Sequence, residues 1–273
     1  MSGRRFYKMT GSGNDFVFFD ALHEPPGPLA EPSTISRLCA RGTGVGADGV
    51  VFIQPATSVD ADFRMKYFNS DGSPAEMCGN AALCSAWLAS ELGAAKASSM
   101  RFETDSGLVA ARVVGGIPEI DLAPVTDVRA DAGIPLEPGE LRIGFARVGN
   151  PHVVVLRTEL DTLDIVPRGR AIRFHETQKP GGTNANFVAR RQDGRFDIRT
   201  YERGVEGETL ACGTGSVASA ILLAAWQQSG DESTLVTRSG LTITGRFRRD
   251  GDVPLPTLRG QCRLVFTGER ADD

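Results

Sequence analysis

The sequence predicts an α/β (α+β) fold of two structurally similar halves, each a curved mixed sheet around a central helix. One observation is a repeated stretch in which a cysteine precedes small residues and an apolar helical pattern, "CGNAALCSAWLA" from Cys78 and "CGTGSVASAILLA" from Cys212. A second is that similar strand patterns precede both cysteines in the same order and at a nearly constant offset. Such an ordered set of matches indicates halves related by pseudo-twofold duplication.

The strands before each cysteine alternate apolar and polar residues. "FRMKYFN" covers residues 63–69 and "FDIRTYE" covers residues 196–202, and each ends in a polar residue before a glycine-bearing turn. Further upstream, Gly13-Asn14 and Gly149-Asn150 each stand beside a run of apolar residues. A period of two predicts β-strands, so the order in each half is strand, strand and then a helix that begins at the cysteine.

The remaining segments complete the two halves. Residues 23–33 are a proline-rich surface loop, and residues 33–44 are predicted to be a short helix stopped by Gly42. The glycine-bearing stretch from Gly116 to Ile120 is the predicted boundary between the halves. Residues 260–269 have the pattern of a last strand that can pair back into either half.

We therefore expect two domains. The N-terminal domain comprises residues 1–118, carries Cys78 and is joined by the C-terminal strand 261–273. The C-terminal domain comprises residues 119–260 and carries Cys212.

Composition excludes several classes of function. The net charge is -4 and the pI is about 5.5, without a basic cluster, which argues against a nucleic-acid partner. The longest apolar run, residues 217–226, is too short to span a bilayer, and no apolar segment typical of a signal peptide follows the N-terminal arginines. Five cysteines are too few for a disulfide scaffold, so we expect a protein of the reducing cytoplasm without a membrane partner.

The position of the two cysteines predicts acid–base chemistry. A thiol at a helix N-terminus meets unpaired backbone N–H groups and the positive end of the helix dipole, and both favour thiolate. The residues after each cysteine are small, so a substrate carboxylate can approach these N–H groups closely. Two such thiols on opposite faces of an α-carbon are what stereoinversion requires, because one removes the α-proton and the other returns a proton.

Six motifs in order along most of the chain carry a resemblance to the diaminopimelate epimerase family. They are "KMTGSGNDFVFFD" (8–20), "RGTGVGADG" (41–49), "YFNSDGSPAEMCGN" (67–80), "GNPHVV" (149–154), "GTNANFV" (182–188) and "YERGVEGETLACGTG" (201–215). The resemblance implies epimerisation of LL-2,6-diaminopimelate to the meso form, for lysine and peptidoglycan precursors. It also implies a homodimer with an active site in a cleft between the halves and no pyridoxal phosphate or other cofactor. None of the four lysines stands in a phosphate-binding glycine setting, which agrees with the last point.

The resemblance also assigns roles to individual residues. Cys78 and Cys212 are the catalytic pair, and His152 and Glu202 assist in setting the protonation of the thiols. The residues that bind the amino-acid substrate are Asn14, Asn69, Gly79, Asn80, Asn150, Asn184, Glu202, Arg203, Gly213 and Thr214. Arg203 is expected to hold the distal carboxylate with a bidentate fork.

The chain departs from the commonest family pattern at two places. Ala81 and Leu83 stand where the first cysteine motif usually has a glycine and an arginine. The loop "ERGVEGET" carries one residue more than the commonest form.

Other functions remain open at this point. A cofactor-independent racemase of another amino acid would keep both cysteines and change the end of the site near Asn184 and Arg203. A thiol-based metal or redox module is disfavoured because the chain has no CxxC or HxxxH spacing, so no metal site is predicted. A nucleophilic cysteine hydrolase would explain only one of the two cysteines.

Overall fold

The computed structural model describes residues 4–75 and 77–270. Three predicted features extend beyond these residues: residues 1–3 of the first domain, Glu76 of the first cysteine motif and residues 271–273 of the last strand lie outside them. The chain divides into two compact units, Met1–Ile120 with Gly260–Asp273, and Asp121–Arg259. The domain limits predicted from the sequence, at residues 118 and 261, stay a prediction; the compact units meet at Ile120–Asp121 and Arg259–Gly260.

The first unit contains most of the first half of the chain. Its strands are β1 (Arg4–Gly11), β2 (Asn14–Asp20), β3 (Gly49–Pro55), β4 (Phe63–Asn69), β5 (Pro74–Ala75), β6 (Met100–Thr104), β7 (Gly107–Val114) and β8 (Ile117–Asp121). Its helices are α1 (Pro32–Cys39) and α2 (Gly79–Glu91), with a short 3-10 turn at Gly27–Ala30.

The second unit repeats this order. Its strands are β9 (Val128–Arg129), β10 (Glu140–Val148), β11 (Asn150–Arg157), β12 (Asn184–Arg190), β13 (Phe196–Glu202), β14 (Gly207–Thr209), β15 (Glu232–Val236), β16 (Thr242–Asp250) and β17 (Val253–Gly260). Its helices are α3 (Ile165–Arg173) and α4 (Gly213–Ala225), with a 3-10 turn at Glu176–Gln178. The last strand, β18 (Cys262–Arg270), pairs antiparallel with β1 of the first unit.

Strand pairing follows the same series in both units. β1–β2 and β3–β4 are antiparallel, whereas β2–β3 and β4–β6 are parallel. β10–β11 and β12–β13 are likewise antiparallel, and β11–β12 and β13–β15 are parallel. Each parallel step needs a crossover, and a helix lies in each crossover: α1 and α2 in the first unit, α3 and α4 in the second. The predicted α/β fold with an internal duplication is thereby confirmed.

The helices that follow the cysteines are buried on nearly all sides. Ten residues of α2 and ten of α4 are buried, and both helices are rich in alanine and serine. An all-round apolar helix belongs in a protein core. The buried hydroxyls of Ser85 and Ser219 are satisfied because each donates to the carbonyl four residues earlier, at 2.8 Å in both cases. Within the part of the chain that the structure describes, no helix combines the length and apolarity that a membrane crossing requires.

Both faces of the first unit's central strands are covered. Phe16 and Phe18 point to one face of β2, Val17 and Phe19 to the other, and all four are at most 1% exposed. Phe19 stacks on Phe52 of β3 with ring centroids 5.5 Å apart. Burial on both faces explains why this strand has a continuous apolar run rather than an alternating one.

Local predictions mostly match the structure, with one correction. The strands predicted at 63–69 and 196–202 coincide with β4 and β13 and share one burial pattern. The helix predicted over 33–44 is wrong at its end, because α1 stops at Cys39 rather than at Gly42. Ala40 is extended there, and the carbonyls of Leu38 and Cys39 accept hydrogen bonds from Gly46 and Ala47 at 3.0 and 3.1 Å. The loop that follows therefore terminates the helix before the glycine is reached.

Candidate active site

Cys78 is the N-cap residue of α2. Its backbone is extended, with φ -122° and ψ 123°, and its carbonyl accepts the first helical hydrogen bond, from the N–H of Ala82 at 2.8 Å. The side chain is half-buried. Helix-start N–H groups have no partner within the helix, so this thiol stands at the positive end of a buried helix.

Cys212 has the same position on α4. Its backbone is extended, with φ -137° and ψ 111°, and its carbonyl accepts from the N–H of Ser216 at 2.9 Å. Its side chain is also half-buried. The glycine at 215 is required here, because a Cβ would lie 2.2 Å from Oδ1 of Asn186 and 3.3 Å from the Cys212 sulfur. The two predicted catalytic cysteines thus share one local geometry, each in its own unit.

In the first unit, a hydrogen-bond chain leads from a carboxylate to the start of α2. Asp48 accepts from Nδ2 of Asn14 at 2.9 Å, and Oδ1 of Asn14 accepts from Nδ2 of Asn80 at 2.7 Å. Since a carboxylate only accepts, it determines which amide atom of each asparagine faces which neighbour. Asn80 is 2% exposed, and among the described residues its Oδ1 has no hydrogen-bond partner. The chain therefore ends in a buried, unused acceptor.

Charged residues hold in place the carboxylate of Asp48, at which this hydrogen-bond chain begins. Arg41 contacts Asp48 at 2.9 Å and Asp15 at 2.6 Å, and Lys8 contacts Asp15 at 2.6 Å. Burial by itself would raise the pKa of Asp15, but hydrogen bonds from Arg41 and Lys8 outweigh it and hold that pKa below its usual range. The carboxylate of Asp15 is therefore a fixed acceptor near neutral pH, and Arg41 ties Asp48 to it.

Asn69 lies at the end of β4 beside this chain. It is the register partner of Gly49, the residue after Asp48. Its Nδ2 donates to Oγ of Ser73 at 3.1 Å, which closes the turn after the strand. The structure thus brings Asn14 and Asn80 into direct contact, whereas Asn69 is joined to them through strand pairing.

In the second unit, a hydrogen-bond chain leads to Cys212. Nε2 of the fully buried His152 lies 3.0 Å from Oγ1 of Thr214, and that hydroxyl lies 3.7 Å from Sγ of Cys212. On the other side of the ring, Nδ1 lies 3.2 Å from Nδ2 of Asn186. Burial, together with the positive charge of Arg203, lowers the pKa of His152 to about 3. The imidazole is therefore neutral near neutral pH.

Arg203 is anchored by the two other predicted asparagines of this unit. Its backbone N–H donates to Oδ1 of Asn184 at 2.8 Å, and its guanidinium donates to Oδ1 of Asn150 at 2.8 Å. Asn184 is 4% exposed, and its Nδ2 also donates to the carbonyl of Pro151 at 3.3 Å. The structure thus brings these three predicted substrate-binding residues into one cluster.

The longer loop after Glu202 is closed by Glu206. Glu202 ends β13, and its carbonyl accepts from the N–H of Glu206 at 2.8 Å. The carboxylate of Glu206 accepts from Arg173 at 3.0 Å and from Tyr201 at 3.2 Å. The extra residue relative to the commonest family form is accommodated by these contacts and by a positive φ of 56° at Glu206.

The other departure from the family pattern is explained by packing. Ala81 and Leu83 are both fully buried in the first turns of α2. An arginine in place of Leu83 would need a buried partner for its charge, which an aliphatic side chain does not. Leu83 therefore replaces a charged residue with core packing.

The three other cysteines have different surroundings. Burial raises the pKa of Cys39 to about 11. Burial also raises the pKa of Cys84 well above its usual range, and a hydrogen bond with Cys262 adds to this effect. None of the three is followed by Gly-Asn or Gly-Thr, so the sequence predicts a core position for each. Cys39 and Cys84 are buried, but the prediction is wrong for Cys262, which is half-buried on β18. In residues 4–75 and 77–270, no three His, Cys, Asp or Glu side chains are grouped so that they could hold a metal ion.

Sequence reasoning missed two residues that the structure places in these chains, Asp48 and Asn186. Both lie inside motifs that were noted, "RGTGVGADG" and "GTNANFV". The available signal was therefore their motif membership, since a single aspartate or asparagine in a turn or strand is not distinctive by itself.

The chain is similar in sequence to known proteins of one family over nearly its whole length, and similar in fold to solved structures. A family model described as diaminopimelate epimerase matches residues 6–117 and 144–252. A diaminopimelate epimerase from Gemmatimonas aurantiaca is 46% identical, covering 97% of this chain and 99% of that protein. One from Aquifex aeolicus is 38% identical, covering 98% of both. Among solved structures, a putative phenazine biosynthesis protein from Clostridium difficile aligns with a TM-score of 0.74 at 13% identity, over 98% of this chain and 100% of that one, which shows a shared fold.

Proposed function

The chain belongs to the diaminopimelate epimerase family, and from that premise we propose that Cys78 and Cys212 are the two acid–base groups of its reaction. The enzyme is an isomerase that converts LL-2,6-diaminopimelate into meso-diaminopimelate without pyridoxal phosphate, in the formation of lysine and peptidoglycan precursors. The reaction inverts one α-carbon and leaves the other unchanged.

The observation that carries the proposal is the shared N-cap position of the two cysteines. Each unit has one helix that is buried on nearly all sides, and each of these helices begins directly after a half-buried thiol. A helix N-terminus stabilises thiolate, which is the form that can remove an α-proton. Two equivalent bases account for inversion, because a single base would return the proton to the face from which it came.

The proposed step moves one proton to and one proton from the same carbon. The thiolate of one cysteine takes the α-proton, and the electron pair stays on the α-carbon, delocalised into the adjacent carboxylate. The thiol of the other cysteine then gives its proton to the opposite face, so the two sulfurs exchange protonation states. Backbone N–H groups at the helix starts, at Gly79 and Asn80 and at Gly213 and Thr214, stabilise the negative charge that develops on the carboxylate.

Asparagine side chains are proposed to orient the groups around the reacting carbon. The buried Oδ1 of Asn80 is an acceptor without a partner among the described residues, which suits an ammonium group. Asn14 holds the Asn80 amide in place, and Asn69 lies beside it at the end of β4. Placing an ammonium there satisfies an acceptor that otherwise costs free energy.

The cluster in the second unit is proposed to hold the distal end. Arg203 offers the fork geometry that matches a carboxylate, and Asn150 and Asn184 fix its side chain and its backbone. Glu202, which precedes it, supplies an acceptor for the distal ammonium and assists in setting thiol protonation. His152 acts on Cys212 through Thr214.

We also propose that the enzyme is a cytoplasmic homodimer whose partner is its amino-acid substrate, with no nucleic-acid or membrane partner. The acidic composition argues against a nucleic-acid partner, and the small number of cysteines supports a reducing cytoplasm. The homodimer is proposed from the family resemblance alone. Sedimentation of the purified protein tests the oligomeric state.

The experiment that tests the function is incubation with LL-diaminopimelate, meso-diaminopimelate and other amino acids in heavy water. The expected result is α-deuteration with inversion of diaminopimelate and much slower reaction of the others. Inversion of another amino acid at an equal or higher kcat/KM would assign the chain to a different racemase. Inversion without solvent deuterium would exclude proton exchange with thiols.

A further inference from the structure

We propose that Asn186 is a positioning residue that sets the direction of the hydrogen-bond chain ending at Cys212. In this arrangement His152 donates to Thr214, and Thr214 donates to the Cys212 sulfur, which is thereby held as a proton acceptor. The inference rests on the proposed role of Cys212, but it concerns Asn186, a residue to which the sequence analysis gave no role.

The orientation of the Asn186 amide is determined by its neighbours. Its Nδ2 lies 3.1 Å from the carbonyl oxygen of Val153, and a carbonyl only accepts, so this atom is the NH₂ group. On the other side, Oδ1 accepts from Oγ1 of Thr200 at 3.0 Å. Asn186 is fully buried and lies directly opposite Thr200 in the β12–β13 pairing. The amide is thus fixed on both sides.

This amide determines the tautomer of His152. An NH₂ group only donates, so Nδ1 of the ring, 3.2 Å away, is the acceptor and carries no proton. The ring is neutral, since burial, with the charge of Arg203, lowers the pKa of His152 to about 3. The single ring proton is therefore on Nε2, which donates to Oγ1 of Thr214 across 3.0 Å.

The last hydrogen bond of the chain uses the hydroxyl hydrogen of Thr214, which its contact with His152 does not use. Its hydroxyl oxygen already accepts from His152, and its own hydrogen is available for the sulfur of Cys212 at 3.7 Å. A donor that faces the sulfur favours thiolate over thiol. His152 thereby acts as a neutral relay and not as the base that deprotonates Cys212.

Few ionisable groups lie on the elements that form this chain. The charged residues of β13 are Asp197, Arg199 and Glu202. Arg199 is held by the carboxylate of Glu208 at 2.7 Å, and Arg203, directly after the strand, already acts on the pKa of His152. Asn186, Thr200 and Thr214 are uncharged at any pH in the working range. Changes made at Asn186 and Thr214 therefore alter donor direction without adding a titrating group, except where a carboxylate is introduced on purpose.

The first test reads the tautomer directly. In full-length protein with ¹⁵N-labelled histidine, NMR should show one ring of the three that keeps a proton on Nε2 and does not titrate in the neutral range. Asn186→Asp should move that proton to Nδ1. An ionised aspartate presents only acceptors to the ring, and a protonated one uses its single O–H to donate to the Val153 carbonyl, so in both states Nδ1 faces an acceptor. A wild-type His152 with its proton on Nδ1 would overturn the proposal.

The second test reads the sulfur. Iodoacetamide alkylates thiolate, and mass spectrometry of the Cys212 peptide gives the alkylation rate at each pH. The midpoint, the pH at which this rate is half its maximum, reports thiolate formation at Cys212. Thr214→Val and Asn186→Asp should each raise that midpoint by about one unit, the worth of one hydrogen bond. The matched control Thr214→Ser keeps the hydroxyl and should leave it unchanged.

A double-variant cycle separates the relay from a merely structural role. If both residues act through one chain, Asn186→Asp should add nothing once Thr214→Val is present. Additive shifts, or an unchanged midpoint in Thr214→Val, would contradict the relay. Neither measurement depends on turnover, so a failure of the proposed function would show separately, as an absence of α-proton exchange.

Discussion

Asp48 accepts a hydrogen bond from Nδ2 of Asn14 across 2.9 Å, and that contact turns Oδ1 of Asn14 toward Asn80 at the start of α2. A carboxylate at the surface of the first unit thereby determines the orientation of two amides at the proposed substrate site. The relationship matters because an asparagine in the reversed orientation would present a donor where an ammonium group needs an acceptor.

Asp48→Asn tests this orientation. The substituted amide can present either a donor or an acceptor to Asn14, so the direction of the chain is lost. We expect kcat/KM to fall about tenfold, which corresponds to about 1.4 kcal/mol, near the worth of one hydrogen bond. The exposed Asp252→Asn serves as a control and should have wild-type kinetics. Unchanged kinetics in Asp48→Asn would mean that Asn14 is oriented by other contacts.

Replacement of either proposed base should abolish inversion. Cys78→Ala and Cys212→Ala each remove one of two groups that must act on opposite faces, so neither variant should form the inverted product. Exchange of the α-proton with solvent can survive on the face whose thiol remains, and serine variants are suited to detect it. The measurement is α-deuteration together with optical rotation. Cys39→Ala, in the core of the first unit, is the control and should invert normally. Full inversion by Cys78→Ala would rule out the two-base mechanism.

The kcat/KM of the enzyme should have a bell-shaped dependence on pH. One cysteine must be thiolate and the other thiol, so activity should fall at both low and high pH, with limbs that belong to the coupled pair. His152 is not expected to supply a limb in the neutral range, because its pKa is lowered to about 3. The measurement is kcat/KM over the range in which the protein stays folded. A flat profile into strongly alkaline solution would contradict the thiol–thiolate pair.

Arg203 should decide substrate choice. Arg203→Ala removes the proposed partner of the distal carboxylate, and we expect kcat/KM for diaminopimelate to fall by about a hundredfold or more, from about 3 kcal/mol for a charged hydrogen bond. Lysine lacks that carboxylate and 2-aminopimelate lacks the distal amino group, so the wild type should turn over both far more slowly. The exposed Arg248→Ala is the matched control. Equal turnover of lysine and diaminopimelate by the wild type would show that recognition does not reach the distal end.

His152 should make folding stability depend on acidity. The histidine is neutral in the folded protein, with a pKa of about 3, and has a pKa of about 6.5 when unfolded. Between these values the unfolded state binds more protons, so stability is present above about pH 6.5 and is lost as the pH falls toward 3. Urea unfolding at neutral and at mildly acidic pH should show a larger loss for the wild type than for His152→Gln. His23→Gln, at an exposed position, should behave as the wild type. An equal loss in His152→Gln would assign the acid sensitivity to other groups.

The sequence by itself determined the duplication, the strands β4 and β13, and the cysteine caps of α2 and α4. These features are local: a period of two specifies a half-buried strand, and small residues after a cysteine followed by an apolar run specify the start of a buried helix. The end of α1 was not determined in this way, because the hydrogen bonds of Gly46 and Ala47 that terminate it come from the following loop.

Only the tertiary structure decided which side chains meet. Parallel pairing sets His152 of β11 beside Asn184 and places Asn186 two residues further along the same face of β12, and antiparallel pairing puts Thr200 of β13 opposite Asn186. These contacts join residues that lie between 14 and 34 positions apart in the chain. The direction of a hydrogen bond depends on which donor faces which acceptor. Local spacing contains no information on strand register, so Asn186 was recognisable as part of a motif, but its function as a donor to His152 followed only from the folded sheet.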